Sequence, residues 1–385
     1  MKVTIVSNFF NHHQLPVANA FYERLGEDFH FITTEKLPEE RAALGYHDMN
    51  EKYSYVLCAY KSDKQWKECE KIIFESDVTI FGYSSAPIKL IQRRIAQNKL
   101  VFFYMERIFK KKSFEKSGLR RKVALLWNHG RYQNKKVFIL AASAFTSFDF
   151  SKLHLYKNKI YKWGYFPEIE YNVKKSNVNN QTQIIWVGRF IDWKHPEQAI
   201  LAIKQLLDMG YSNIHLNMIG TGEMLNQMKQ MAVNEKLTTC ITFCGSMSPE
   251  RVRDYMKKSD ILLFTSDRNE GWGAVLNEAM NSGCVPIANR MIGSVPYMVQ
   301  DNKNGMIYAE NENTVIEIAS RVKYLIDFES ERKKMATNAI KTTTEKWNAE
   351  FAVDRFQKMT EAMIAEKQFI NYTDGPLSVA EVVND

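Results

Sequence analysis

Two carboxylates, two cations and a run of glycines carry the chemistry legible in this sequence. Glu270 and Glu278 bracket the stretch Gly271-Trp272-Gly273-Ala274. An apolar run, Asp260 to Thr265, precedes them and another, Cys284 to Ala288, follows. Strand, glycine loop, helix, strand is a βαβ unit, which presents backbone N–H groups at the carboxyl end of its first strand. That edge suits an anion such as phosphate, and Gly271 and Gly273 leave room for a ligand to approach the backbone. Carboxylates repel phosphate, so Glu270 and Glu278 suit hydroxyls on either side of one. A phosphate centre with hydroxyl-bearing ends describes a nucleotide-sugar. The helix macrodipole alone also favours glutamate near a helix start, so the reading needs support from elsewhere in the chain.

That support comes from a second strand-to-helix loop. Gln183 to Gly188 reads as a strand, followed by Arg189, Lys194 and then Pro196, well placed to open a helix. Arg189 and Lys194 fall on the same predicted sheet edge as Glu270. A guanidinium grips a diphosphate through paired donors, and a lysine adds a point charge. Ile219-Gly220-Thr221-Gly222 follows a strand at Ile214 to Met218, and half a dinucleotide fingerprint is weak alone. Phe243-Cys244-Gly245-Ser246 ends another strand at that edge, which puts Gly245 and Ser246 where a nucleobase stacks or bonds to backbone.

The elements that position these residues alternate between strand-like and helical patterns, the mark of α/β architecture. In the first half, strands are predicted at Val3–Ser7, Phe29–Thr33, Tyr55–Ala59, Val78–Tyr83, Leu100–Tyr104 and Val137–Ala141. The loop after the first strand carries Asn11, His12 and His13, and the strand ending at Tyr104 delivers Glu106 to its carboxyl edge. Each could face a ligand, or be a loop histidine or a solvated Glu106–Arg107 pair. The rhythm lapses between 165 and 182 in a polar linker, and then the architecture restarts. The expected division is 1–170, 183–345, and a C-terminal helix with a loose tail over 346–385. The expected fold is two doubly wound Rossmann-like domains facing across a cleft.

Composition narrows the partners. The chain of 385 residues has a net charge of +8 and five scattered cysteines. The charge favours anionic partners, and no nucleic-acid-binding signature is visible. The cysteines read as reduced core thiols, and the cytosol is the expected compartment. No apolar run reaches the roughly 18 residues of a membrane span. Over 107–127, basic residues interleave with Phe109, Phe114 and Leu119 and lead into Val123-Ala124-Leu125-Leu126-Trp127. That segment suits an anionic membrane surface, and equally a solvated helix face.

In sum, Gly188-Arg189 with Lys194, Ile219-Gly220-Thr221-Gly222, Phe243-Cys244-Gly245, Glu270-Gly271-Trp272-Gly273 with Glu278, and Gly283-Cys284-Val285-Pro286 stand in a characteristic order. Residues 183–310 thereby resemble the retaining glycosyltransferases of family 4 (glycosyl transferases group 1), whose fold is GT-B. The resemblance implies that Arg189 and Lys194 hold the donor diphosphate and that Glu270 binds hydroxyls of the donor sugar. It also implies that the amides of Gly271, Trp272, Gly273 and Ala274 contact sugar or phosphate, and that Glu278 binds the ribose. Gly188, Gly220, Gly245 and Ser246 would complete the donor side. Asn11, His12, His13 and Glu106 would lie on the acceptor or sugar side. Relatives often carry Gly after the lysine, where this chain has His195, read as a tolerated change. No Asp-x-Asp motif occurs, so no metal or other cofactor is expected. The expected activity is transfer from a UDP-sugar, or a GDP-sugar, to a glycan or lipid-linked acceptor in surface polysaccharide biosynthesis. The enzyme would be cytoplasmic or peripheral on the inner membrane face. A nucleotide-sugar epimerase, a glycoside hydrolase using Glu270 and Glu278, and a non-catalytic membrane-surface-binding protein are the alternatives.

Overall fold

The computed structural model describes residues 1–39, 47–82, 85–110, 116, 118–173, 181–367 and 370–384. The chain forms two compact units, Met1–Glu168 with Asn348–Asp385, and Ile169–Trp347. Each is a parallel sheet wound with helices.

The first unit holds a seven-stranded sheet of order β3-β2-β1-β4-β5-β6-β7. Its strands are β1 (Val3–Ser7), β2 (Phe29–Thr33), β3 (Val56–Cys58), β4 (Val78–Phe81), β5 (Leu100–Met105), β6 (Val137–Ala141) and β7 (Ile160–Lys162). Every pairing is parallel. A parallel sheet covered on both faces selects continuous apolar strands, and β1, β4 and β6 are buried at every position. The winding reverses between β1 and β4, so the loops after those strands and after β5 share one carboxyl edge.

Three expectations need correcting in this unit. The sequence Lys-Asn-Lys-Ile-Tyr-Lys at 157–162 carries too short an apolar signal to predict β7, yet Ile160 and Tyr161 are buried as it joins the sheet edge. The tail is not loose. Leu377 donates to the Lys162 carbonyl at 2.8 Å and Lys162 to that of Ser378 at 2.8 Å, while Leu377 and Ser378 are buried. Arg355 sandwiched against Phe351 and Tyr372, 4.3 Å from each ring centre, fixes the turn into that tail. Finally, Arg107 and Phe109 are core residues and cannot face a membrane. Arg107 lies 3.4 Å from Asp149, whose carboxylate also accepts from the Ile108 and Phe109 amides at 2.6 and 2.9 Å. Residues 111–115 and 117 of the basic segment, 174–180 of the linker and Tyr83 lie outside the described residues. The helix Ala349–Ile364 packs Phe356 against Phe21, Phe102 and Trp163, and buries Ala352, Val353 and Met359 on the same side.

The second unit holds a six-stranded sheet of order β10-β9-β8-β11-β12-β13. These are β8 (Thr182–Val187), β9 (Ile214–Ile219), β10 (Ile241–Gly245), β11 (Ile261–Phe264), β12 (Val285–Asn289) and β13 (Met306–Tyr308), again all parallel. The winding reverses between β8 and β11. The loops carrying Arg189 and Glu270 therefore leave the two strands that flank the reversal.

Backbone contact sets the geometry of that edge. The Gly188 amide donates to the Ile219 carbonyl at 3.0 Å, and the Gly220 amide to that of Gly245 at 2.8 Å. Gly220 has φ +136°, and a Cβ there would lie 1.9 Å from the Gly188 carbonyl oxygen. Gly245 also has positive φ, +71°, but open space around it. Gly245→Ala is thus expected to cost about 1 kcal/mol, the left-handed penalty alone. Gly220→Ala should cost about 3 kcal/mol or more, because the two strand ends must separate. Paired urea unfolding curves check this difference.

Candidate active site

At the carboxyl edge of β8 and β11 the polar side chains form one connected network. The Trp186 indole N–H donates to Thr265 Oγ1 at 2.9 Å, and Thr265 Oγ1 donates to the Lys194 carbonyl at 2.7 Å. The Asp267 amide donates to the Trp193 carbonyl at 3.0 Å. These bonds tie the loop after β8 to the loop after β11. Lys194 Nζ then pairs with Glu270 Oε2, which also accepts from Ser266 Oγ at 3.0 Å. The side chains of Lys194 and Glu270 are 13% and 11% exposed, so the pair is half-enclosed and open to a ligand on one side. Lys194 also lies 4.8 Å from the Trp193 ring centre.

Arg189 differs from Lys194. It is exposed, its guanidinium 5.9 Å from the Trp193 ring centre, and it forms no ion pair among the described residues. The edge therefore offers one cation already compensated and one that is not. The amides of Gly271, Trp272, Gly273 and Ala274 have no acceptor among the described residues, which leaves four donors beside Glu270. Gly273, at φ +80°, cannot carry a side chain, since a Cβ would lie 2.4 Å from the Phe264 ring. The Trp272 side chain is wholly buried, its indole N–H donating to Asn277 Oδ1 at 2.9 Å, so only its backbone can reach a ligand.

Glu278 sits in the helix Val275–Asn281, its side chain 12% exposed and 4.0 Å from Arg253. Burial pushes its carboxyl up to about 7, against the lowering pull of Arg253. Gly188 lies under the Trp186 ring, a Cβ there meeting it at 3.3 Å. Gly220 serves loop packing. Gly245 accepts the Gly220 amide, and Ser246 is exposed just beyond it.

His195 is more than a tolerated change. Its backbone is left-handed, φ +48° and ψ +53°, a conformation that favours Gly. The imidazole is ringed by carboxylates. Nδ1 lies 3.0 Å from Glu197, and Nε2 lies 3.7 Å from Asp267 and 3.9 Å from Glu310. Asp267 and Glu197 hold the ring protonated, with its pKa pushed up to about 10. The signal in the sequence was a bulky residue where a turn calls for Gly, flanked by acids whose partner was unknown.

The first unit gathers its own polar cluster at the carboxyl edge of β1 and β5. Asn11 shapes its own turn, its side chain accepting from the His13 amide at 2.9 Å. The rings of His12 and His13 lie 4.0 Å apart, and His13 lies 6.2 Å from Tyr165. Glu106 accepts from Tyr165 at 3.0 Å and pairs with Lys110. Of the two readings of this stretch, the solvated Glu106–Arg107 pair is ruled out, because Arg107 is buried and turns inward to Asp149. Tyr165, which the sequence reading did not single out, also lines a narrow apolar cavity with His13, Gln14, Tyr104 and Trp163.

Known proteins can be set beside this geometry. Residues 168–342 match the family described as glycosyl transferases group 1. The uncharacterized glycosyltransferase MJ1069 of Methanocaldococcus jannaschii is 28% identical over 190 residues, 49% of this chain and 47% of the relative. The amylovoran biosynthesis glycosyltransferase AmsK of Erwinia amylovora is 26% identical over 162 residues, 40% of this chain and 39% of the relative. The matches thus span about half or less of these curated relatives. The crystal structure of Anabaena Alr3699/HepE in complex with UDP superposes with a TM-score of 0.72 at 14% identity, covering 95% of this chain and 100% of that one. At that identity the likeness shows the fold, two Rossmann-like α/β units of the GT-B type. The match to glycosyl transferases group 1 runs through residues 168–342 and takes in the edge that joins Lys194 to Glu270.

Proposed function

We propose that the protein is a retaining, metal-independent glycosyltransferase. It would move a sugar from a nucleotide-diphosphate donor, UDP-linked by preference and GDP-linked as the second choice, to a glycan or lipid-linked acceptor. The observation that carries this is the pairing of Lys194 with Glu270 beside the uncompensated Arg189, at the switch point of the second unit's sheet. The family match over 168–342 and the UDP held by HepE support the donor class. The amylovoran biosynthesis in the name of AmsK supports a role in surface polysaccharide biosynthesis, and a lipid-linked acceptor would put the enzyme at the inner face of the cell membrane.

In this mechanism the diphosphate sits against Arg189, Lys194 and the amides of 271–274. Glu270 accepts hydrogen bonds from the sugar hydroxyls and Glu278 from the ribose. The bond between the anomeric carbon and the phosphate oxygen breaks through an oxocarbenium-like state, and negative charge builds on the leaving diphosphate. Fixed cations and amides stabilise that charge, commonly the largest catalytic contribution. Two side-chain cations supply what a divalent ion would supply, so the chemistry needs no metal. The acceptor oxygen bonds to the anomeric carbon on the same face, and its proton passes to the departing phosphate oxygen. Configuration is retained without a protein base. The cluster of His12, His13, Tyr165 and Glu106 in the first unit takes the acceptor.

A thermal-shift panel of nucleotide diphosphates and nucleotide-sugars, without added metal, tests the donor site. Ligand at about 100 times its Kd should stabilise by about 2.7 kcal/mol. Arg189→Ala should leave the unliganded melting temperature unchanged and lower turnover about 100-fold or more. Lys194→Ala should lower turnover similarly but also cost about 3 kcal/mol of stability, since it strands Glu270. Binding of nucleotide-sugar with no transfer to any acceptor, but with inversion at a sugar carbon, would favour the epimerase.

Glu278 gives a pH signature. Its ordinary pKa is 4.5 and its folded value about 7. The unfolded carboxyl ionises first, so stability falls as pH rises from 4.5 to 7, and the penalty is full above that. Glu278→Gln should therefore raise the melting temperature at pH 8 and not at pH 4. Hydroxyl binding needs the ionised form, so wild-type donor affinity should rise about tenfold between pH 6 and pH 8 relative to the Gln variant. Calorimetric titration at both pH values reads this directly.

A further inference from the structure

One helix of the first unit has an apolar stripe that is left exposed among the described residues. Leu119–Gly130 forms the helix Leu-Arg-Arg-Lys-Val-Ala-Leu-Leu-Trp-Asn-His-Gly, and none of its residues is buried. Leu119, Val123, Leu126 and Trp127 fall at i, i+4, i+7 and i+8, a single face. They are 75%, 53%, 43% and 73% exposed. Scattered exposed apolar residues are ordinary, but four large ones on one stripe are not.

The helix is anchored from another side. The His129 ring packs 5.3 Å from that of Phe150 and bonds to the Tyr156 hydroxyl at 3.1 Å, and Arg121 donates to the Ile108 carbonyl at 2.6 Å. At about 100° per residue, Arg120 and Arg131 border the stripe beside Trp127, and Lys122 borders it opposite. No aspartate or glutamate occurs from Lys116 to Phe148, while Lys116, Arg120, Arg121, Lys122, Arg131, Lys135 and Lys136 all do. A second copy of this helix would bring the same cationic, acid-free border and be repelled by it. An anionic bilayer matches both features, because it takes the apolar stripe below its headgroups and the cations among them. Trp127, at the stripe's polar border, has the amphipathic ring suited to that depth.

We infer that the helix Leu119–Gly130 lies in the plane of an anionic phospholipid surface, with Leu119, Val123, Leu126 and Trp127 inserted and Arg120, Lys122 and Arg131 on the headgroups. Among the described residues no helix is long and apolar enough to cross a membrane, so the attachment is lateral and reversible. The inference extends the lipid-linked acceptor proposed above. Its test uses neither donor nor acceptor, so the two fail separately.

Full-length protein is mixed at low salt with vesicles of phosphatidylcholine containing about a third phosphatidylglycerol, and with vesicles of phosphatidylcholine alone. Binding is expected to the anionic vesicles, with Trp fluorescence quenched by lipid brominated near the headgroup. In a background with the half-buried Trp66 and Trp193 changed to Phe, Trp127→Phe should still bind and lose that quenching, since Trp163, Trp186, Trp272 and Trp347 are buried. Val123→Glu with Trp127→Glu should weaken binding at least about tenfold, and Arg120→Gln with Lys122→Gln about as much at low salt. These positions are not buried, so melting temperatures should not change. No binding to anionic vesicles, undiminished binding by the double Glu variant, or quenching that survives Trp127→Phe would overturn the inference. So would a dimer in solution abolished by Val123→Glu, because a second copy would then cover the stripe.

Discussion

The geometry of the second unit depends on one place where two backbones touch. Gly220 lies so close to the Gly188 carbonyl that only a hydrogen fits. That approach aligns the ends of β8, β9 and β10 and fixes where the loop after β8 departs. Phe190 then bonds back to Thr221, at 2.9 Å, and the loop arrives at Lys194 with its carbonyl positioned to accept from Thr265. A backbone contact between two glycines thereby decides where Lys194 stands.

Charge burial follows a consistent pattern in both units. Arg94 in the first unit is fully buried, and its guanidinium donates to Thr79, Gln97 and the carbonyls of Asp77 and Leu100. Arg107 meets Asp149 in the same core. In the second unit, Lys194 meets Glu270 and His195 meets three carboxylates. Buried ion pairs add little net stability over apolar packing, but losing one partner is costly. Their value here is positional. Each ties segments distant in sequence, and two of them converge on the loop after β11.

Much of this was readable in advance. The apolar strands and glycine loops of 183–310 announce their order through composition, because a doubly covered strand must be apolar and a loop under φ +80° must be Gly, as at Gly273. Glu270 and Lys194 could be placed on one edge from topology alone. Other features depended on partners that sequence does not reveal. Arg107 and Phe109 look like surface residues until Asp149, about forty positions on, claims both. The tail from 371 looks loose until β7 offers it an edge. His195 reads as an oddity until Glu197, Asp267 and Glu310 converge on it. Nor does the sequence reveal that the Trp272 ring, placed among glycines, belongs to a core with Tyr297 and Trp347, 6.2 and 5.7 Å away.

The Lys194–Glu270 pair makes occupancy of this edge an exchange rather than an addition. In the empty protein the lysine already has a counter-ion, held by Ser266 as well. A small anion such as sulfate could take the lysine only by evicting Glu270 and leaving that carboxylate stranded. A ligand that carries hydroxyls next to its phosphate gives Glu270 something to accept from as it yields the lysine. At Lys194, though not at the uncompensated Arg189, the internal pair thus weighs against a lone inorganic anion and in favour of a molecule that presents phosphate and hydroxyls together.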